Sequence, residues 1–180
     1  MRAIAPLVAA LLTAISASAA AQDYAGGWTG SVSPGWGMST GSLDDNWLQG
    51  LDPSSDWRRC ANIDHDFDLD NAISACTRIL EEHGGRSTSG VALWFRAQLY
   101  EDQDKVSQAR QDWDAAIALF TEEIAANPRE PYGYNNRAAT LVRIAEYDRA
   151  LADYGRAIEL DRHLPNPHAG RGQIYFRRGD

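Results

Sequence analysis

Residues 131–164 read PYGYNNRAATLVRIAEYDRALADYGRAIELDRHL, and the spacing of small and large side chains in this stretch decides the fold. Ala138 follows an arginine, Arg137, and a second alanine, Ala150, lies thirteen residues after that arginine. Tyr154 comes four residues later, on the same side of a helix as Ala150. Small residues on two helices let the backbones approach, and a large residue fills the space beside them. The stretch therefore predicts two packed helices joined by a turn.

The same spacing recurs along most of the chain, which makes it an internal repeat. We predict units at about 53–86, 90–130 and 131–164, and a partial unit with a first helix alone at 165–180. The second helix of unit 90–130 is predicted to run on to 127–128, because about seven extra residues, or two turns, keep the same face inward. The repeated positions are Arg59-Cys60, Arg96-Ala97, Arg137-Ala138 and Arg171-Gly172 on first helices, and Ala72 with Cys76, Ala109 with Trp113, and Ala150 with Tyr154 on second helices.

The repeat resembles the tetratricopeptide repeat family, whose signature is W-x2-L-G-x2-Y, then A-x3-F, then P, over about 34 residues. Tyr134, Ala138, Leu141, Ala150 and Tyr154 stand at signature positions of the best copy, and arginine replaces the leucine of the signature. The resemblance extends over residues 53–180. It implies an all-α fold in which tetratricopeptide-type helical hairpins stack as a short right-handed solenoid. From the residues ahead of it, we expect this solenoid to come after a signal peptide and a flexible leader.

The resemblance also implies a function: a non-catalytic scaffold or adaptor that binds a protein or peptide in the concave groove lined by the first helices. Asn136 matches the asparagine that hydrogen-bonds a bound peptide backbone in many members of the family. Trp94, Asn166 and Gly170 stand where a chaperone-type carboxylate clamp needs basic residues. Surface or inter-repeat packing remains the alternative role for each groove residue. The predicted groove residues are Trp94, Phe95, Gln98, Tyr132, Asn135, Asn136, Arg143, Gln173 and Arg177.

The first 21 residues have the layout of a secretory signal peptide. Arg2 gives a positive start, residues 4–15 are mainly apolar, and small residues follow. Cleavage is predicted after Ala21, with Ala19 as the alternative, which implies a periplasmic or secreted protein. The apolar run is too short to span a membrane. Residues 22–52 are rich in glycine, serine and tryptophan and lack helical or strand periodicity, so we interpret them as a flexible leader.

The net charge of −8 excludes an electrostatic reason for binding nucleic acid or an anionic membrane surface. No segment after the signal is apolar enough for a transmembrane helix, so no membrane insertion is expected after the signal is removed. The partner is predicted to be a protein or peptide of unknown identity, with self-association as a further option. The alternative is the repeat portion of an enzyme or of a self-assembling envelope protein, whose active part lies outside the repeats.

Two motifs resemble functional sites, but we predict no catalytic residue, metal site or cofactor. The serine of Gly37-Met38-Ser39-Thr40-Gly41 lacks the strand and helix that a nucleophile elbow needs. The alternating aspartates of residues 64–70 lack the glycine and glutamate of an EF-hand, so a polar turn that caps a helix is the better interpretation. None of the four histidines is paired at helical metal-ligand spacing.

The two cysteines, Cys60 and Cys76, are predicted to form a disulfide, because an even number of cysteines in an exported chain favours a bridge. The resemblance places them at facing sites of the two helices in unit 53–86. Two free, buried thiols and a zinc site completed by histidines remain as alternatives.

Overall fold

The computed structural model describes residues 55–62, 67–82 and 85–179. The signal peptide, the leader with Ser39, and Asp64, Asp66, His65 and His83 lie outside the described residues. The described part contains seven helices: α1 (Asp56–Ala61), α2 (Leu69–Glu81), α3 (Arg86–Asp102), α4 (Val106–Ala126), α5 (Pro131–Arg143), α6 (Tyr147–Leu160) and α7 (Pro165–Arg178). The fold is all-α, as the repeat predicts. None of these helices is both long and apolar enough to cross a membrane.

Local chemistry explains where several helices begin. Ser55 caps α1 by accepting a hydrogen bond from the backbone N–H of Arg58 at 3.3 Å. Asp68 caps α2 in the same way through the N–H of Asn71 at 2.9 Å, so this member of the aspartate run is a helix cap. Prolines stand at the first positions of α5 and α7. The fixed φ of proline suits a helix, and the N–H that proline lacks would have no partner within the helix at this position.

Three first helices end in the same turn. Asp104, Ala145 and Gly179 each lie eight residues after the repeat arginine, and each has a left-handed backbone with φ of 57°, 62° and 78°. The backbone N–H of each donates to the carbonyl three residues earlier, at 2.9, 3.1 and 3.2 Å. The turn is thus a property of the repeat, and Gly179 is the residue that adopts this φ with least strain.

The helices pack in the order that the repeat predicts. Each helix contacts the next along the chain, and α1, α3, α5 and α7 also contact one another in succession. The second helices α2, α4 and α6 make no comparable contacts with one another in the described part. The first helices therefore form the inner side of the array.

The small repeat sites lie where the helices of a pair meet. Cys60, Ala97 and Ala138 are completely buried on the first helices, and Trp113 and Tyr154 are buried beside them on the second. Two hydrophobic clusters result, one shared by α1 to α4 and one centred on α5, α6 and α7. Burial of apolar side chains in these clusters supplies the main stabilisation of the array.

The second helix of the second unit is extended as predicted, because α4 has 21 residues whereas α6 has 14. The extension carries Phe120, which is completely buried. Its ring lies over Gly90, where a Cβ atom would come within 2.5 Å of the ring. The longer α4 is matched by a longer α3, which begins at Arg86, ahead of the predicted unit boundary near Gly90.

The first unit contains the predicted disulfide between Cys60 and Cys76, whose Cα atoms are 4.7 Å apart. The bridge joins α1, which has only six residues, to α2. Such a short helix is marginal in isolation. The covalent link therefore holds α1 against α2 where little apolar packing is available.

Candidate protein-binding groove

The nine predicted groove residues lie on α3, α5 and α7, and we call the side of the array that they occupy the first-helix face. Trp94, Phe95, Asn135 and Asn136 are buried, and Arg177 is exposed. Partial exposure is found for the remaining four, Gln98, Tyr132, Arg143 and Gln173. The predicted residues are therefore divided between packing positions and accessible positions.

Trp94 and Phe95 belong to the hydrophobic cluster of the first two units. Their rings meet edge to face with centroids 5.4 Å apart, and Trp94 meets Trp113 in the same way at 5.9 Å. These geometries are the favourable ones for aromatic pairs. Their burial supports the packing role that the sequence left open for these two residues.

Arg143 connects the second and third units. Its guanidinium lies over the ring of Trp113 at 5.5 Å and pairs with Glu101. Glu101 also accepts a hydrogen bond from the indole N–H of Trp113 at 3.2 Å. This cluster of Glu101, Trp113 and Arg143 fixes α5 against α3 and α4, so Arg143 has a structural partner whether or not a ligand is bound.

Asn135 and Asn136 are both 0% exposed. The side-chain amide of Asn135 donates to the side-chain oxygen of Asn136 at 3.3 Å. The hydroxyl of Thr140, one turn further on, donates to the backbone carbonyl of Asn136 at 2.8 Å. A bound peptide can reach these amides only after the groups that cover them have moved. The expected contact between Asn136 and a peptide backbone therefore requires such a movement.

Most of the accessible members fall into two pairs of equivalent positions, and Tyr132 stands apart from them. Gln98 and Gln173 both lie two residues after a repeat arginine, and Arg177 lies six residues after one, like Arg143. Tyr132 lies at the start of α5. Two amides, a phenol and a guanidinium provide donors and acceptors that suit the backbone and acidic side chains of a peptide.

The positions of the carboxylate clamp offer no room for basic side chains. Trp94 and Asn166 are buried, and a Cβ atom on Gly170 would lie 2.3 Å from the ring of Tyr154. Burial also raises the pKa of Tyr154 above its ordinary value, so this phenol stays neutral. The ring and Gly170 form a close contact between α6 and α7.

The sequence prediction missed two ion pairs that join the helices within units. Arg96 donates two hydrogen bonds to Asp112 at 2.7 and 2.8 Å, and Arg137 does the same to Asp153 at 2.7 and 2.8 Å. In both pairs the guanidinium is largely buried. The carboxylate hydrogen bonds raise the pKa of each arginine above its ordinary value.

Each of these arginines also donates to a threonine of the preceding second helix, Arg96 to Thr77 at 3.1 Å and Arg137 to Thr121 at 3.2 Å. The arginine at the leucine position of the signature therefore connects three helices. These ion pairs could have been found in the sequence, because in both of them the aspartate lies sixteen positions after the repeat arginine. In the first unit Ala75 occupies the acidic position, and Arg59 pairs with Asp56 instead.

The comparisons agree with this architecture. The sequence model described as TPR repeat matches residues 146–179, which cover α6 and α7. Human Tetratricopeptide repeat protein 28 is 35% identical over 98 residues, or 53% of this chain and 4% of that protein. Human DnaJ homolog subfamily C member 7 is 27% identical over 84 residues, or 47% of this chain and 17% of that protein.

Hsp70-Hsp90 organizing protein 2 of Arabidopsis thaliana is 32% identical over 66 residues, or 37% of this chain and 12% of that protein. The chain thus spans less than a fifth of each of these three relatives. What they share with it is the repeat itself. From the paired helices, their common register and these matches, we conclude that the chain is a tetratricopeptide repeat protein.

Proposed function

We propose that this chain is a non-catalytic scaffold of the cell envelope or secreted space that binds a protein or peptide along the first-helix face. The observation that carries the proposal is that each of the three longer first helices has accessible polar side chains: Gln98 on α3, Tyr132 on α5, and Gln173 and Arg177 on α7. Donors and acceptors on three consecutive first helices suit a peptide, whose backbone carries both kinds of group.

The proposed location is supported by two features of the chain. The first 21 residues have the layout of a signal peptide. The disulfide between Cys60 and Cys76 is of the kind that persists in oxidising compartments and is rare in the cytosol.

The test is affinity capture from an envelope extract with the chain beginning at Gln22 as bait. A variant combining Gln98→Ala, Tyr132→Ala, Gln173→Ala and Arg177→Ala should lose the captured partner and keep the melting temperature of the parent. Its matched control changes two exposed arginines on second helices, Arg110→Ala and Arg156→Ala, and should capture normally. Equal capture by the parent and the groove variant would contradict binding along the first-helix face.

A further inference from the structure

The extension of α4 ends beside the start of α5, and Glu123 is the titratable side chain at this contact. A Cβ atom built on Gly133, in the first turn of α5, would lie 3.1 Å from Cγ1 of Ile124 and 3.6 Å from Cγ of Glu123. Glu123 also interacts with the side chain of Ser87, in the first turn of α3. We call these contacts of Glu123 with α3 and α5 the Glu123 junction.

Two polar oxygens of the Glu123 junction are buried and have no hydrogen-bond partner among the described residues. They are Oε2 of Glu123 and Oγ of Ser87. A buried oxygen of an ionised carboxylate is costly without a partner, and protonation removes the charge that causes most of this cost. The geometry of the junction therefore favours the protonated carboxyl.

The charges around Glu123 do not stabilise its ionised form. Glu130, in the segment ahead of α5, repels it. The last turn of α4 contains no basic residue, and the dipole of a helix disfavours an anion at this end. Arg86 of α3 is paired with Glu122 at 3.0 Å. In the part of the chain that the structure describes, no basic side chain forms an ion pair with Glu123.

These surroundings raise the pKa of Glu123 above its ordinary value of 4.5. Burial is the largest cause, the Ser87 side chain opposes it, and the charge of Glu130 adds to it. The start of α5 brings two phenols, Tyr132 and Tyr134, and no charged side chain. Closure of the junction is therefore favoured below the ordinary value and is lost as the pH rises through the raised one.

We propose that Glu123 is a pH-sensitive catch between the second and third units. Its protonated carboxyl stays in the Glu123 junction and holds the start of α5 against α3 and α4, whereas the ionised carboxylate moves to solvent and loosens this contact. Tyr132, an accessible member of the first-helix face, precedes Gly133, so the catch acts on a residue of the proposed binding face. The extension that carries Glu123 has no counterpart in α6.

Hydrogen exchange of the whole chain between pH 4 and pH 8, corrected for the intrinsic pH dependence of exchange, measures this opening without a partner. The reporters are amides at the end of α4, such as Asn127, whose N–H donates to the carbonyl of Glu123 at 2.8 Å. In the parent their protection should fall at least about fivefold as the pH rises, as expected for a charged group that is buried without a partner. Amides in the central turns of α6 should remain better protected at every pH, because they exchange by global unfolding.

Three variants separate the catch from a general effect of pH. Glu123→Gln should abolish the fall in protection at the end of α4, and Glu122→Gln, which changes the exposed neighbour paired with Arg86, should keep it. Ser87→Ala removes a side chain that favours the charged form, so it should shift the fall to higher pH. A shift of this midpoint in a folded protein cannot be explained by misfolding.

Three results would overturn the proposal. One is protection at the end of α4 that does not change with pH in the parent. Another is a fall of equal size in the parent and in Glu123→Gln. The third is an opening free energy at the end of α4 that equals the value for α6 at every pH, because these amides would then exchange only when the whole array unfolds.

Discussion

At the scale of single residues, the ion pair between Arg137 and Asp153 is the contact that most clearly distinguishes this repeat from the family signature. Removing one partner leaves a largely buried charge without its counterion, which is more costly than replacing both partners by apolar groups. Asp153→Ala should therefore lower the free energy of unfolding by about 2–3 kcal/mol, as for hydrogen bonds to charged groups. Urea unfolding measures this loss.

A double variant provides the control for that prediction. Arg137→Leu combined with Asp153→Leu restores the leucine of the signature and should cost less than Asp153→Ala alone. The exposed pair of Arg156 and Glu159 supplies the second control, and Glu159→Ala should change stability by less than about 0.5 kcal/mol. Additive effects of the Arg137 and Asp153 changes would show that the two side chains do not interact.

Asn136 provides a second prediction at this scale. Its side chain is buried and accepts a hydrogen bond from the Asn135 amide. Asn136→Ala should therefore lower stability by roughly 1–3 kcal/mol, since a buried polar partner is lost. Thermal unfolding measures the loss. An unchanged melting temperature together with weaker partner capture would instead support the peptide-binding role that the family resemblance implies.

At the scale of elements, the extension of α4 makes the stability of the protein depend on pH through Glu123. Burial raises the pKa of Glu123 above its ordinary value of 4.5, the Ser87 side chain opposes this rise, and the charge of Glu130 adds to it. A raised folded-state pKa means that stability is fully present below the unfolded pKa and is lost as the pH rises through the folded value.

Glu123→Gln should consequently be more stable than the parent at pH 7, and the difference should vanish below pH 4.5. Urea midpoints of both proteins across this range provide the measurement. Glu122→Gln, on the exposed side of the same turn, is the matched control. If the difference in urea midpoint between the parent and Glu123→Gln did not change with pH, ionisation of the Glu123 carboxylate would not be its cause.

The disulfide is the second feature at this scale. Replacing both cysteines by alanine should lower stability by roughly 3 kcal/mol, because the bridge closes a loop of about 16 residues in the unfolded chain. Hydrogen exchange should localise the loss to α1 and α2. Two alkylatable thiols in denatured, unreduced protein taken from the oxidising compartment would show that the bridge is absent.

At the scale of the whole molecule, the sequence predicted the helix pairs that recur in each repeat. It missed the side-chain contacts that depend on neighbouring units. Small residues at fixed spacing predicted the helix pairs and the extended α4, because backbone approach is a local consequence of side-chain size. The three-helix contacts of Arg96 and Arg137 require the preceding unit to be in place. Burial of Trp94 and Asn136 likewise depends on how first helices pack against each other. The spacing of residues along the chain does not predict this packing.

Export is the prediction that belongs to this scale. The layout of the first 21 residues predicts a mature protein that begins at Gln22. Intact mass and N-terminal sequencing of protein from the envelope fraction test this cleavage, with a form beginning at Ala20 as the alternative product. A full-length protein recovered from the cytosol would contradict both the signal peptide and the proposed location.

The bridge between Cys60 and Cys76 also has a mechanical consequence. A chain pulled from both ends lengthens as its helices unravel, but the residues between the two sulfurs cannot extend while the bridge is closed. The cysteines are sixteen positions apart in the sequence, and their Cα atoms are 4.7 Å apart in the folded state. At ~3.5 Å per residue, reduction should release about 50 Å of hidden contour length in a force-extension experiment.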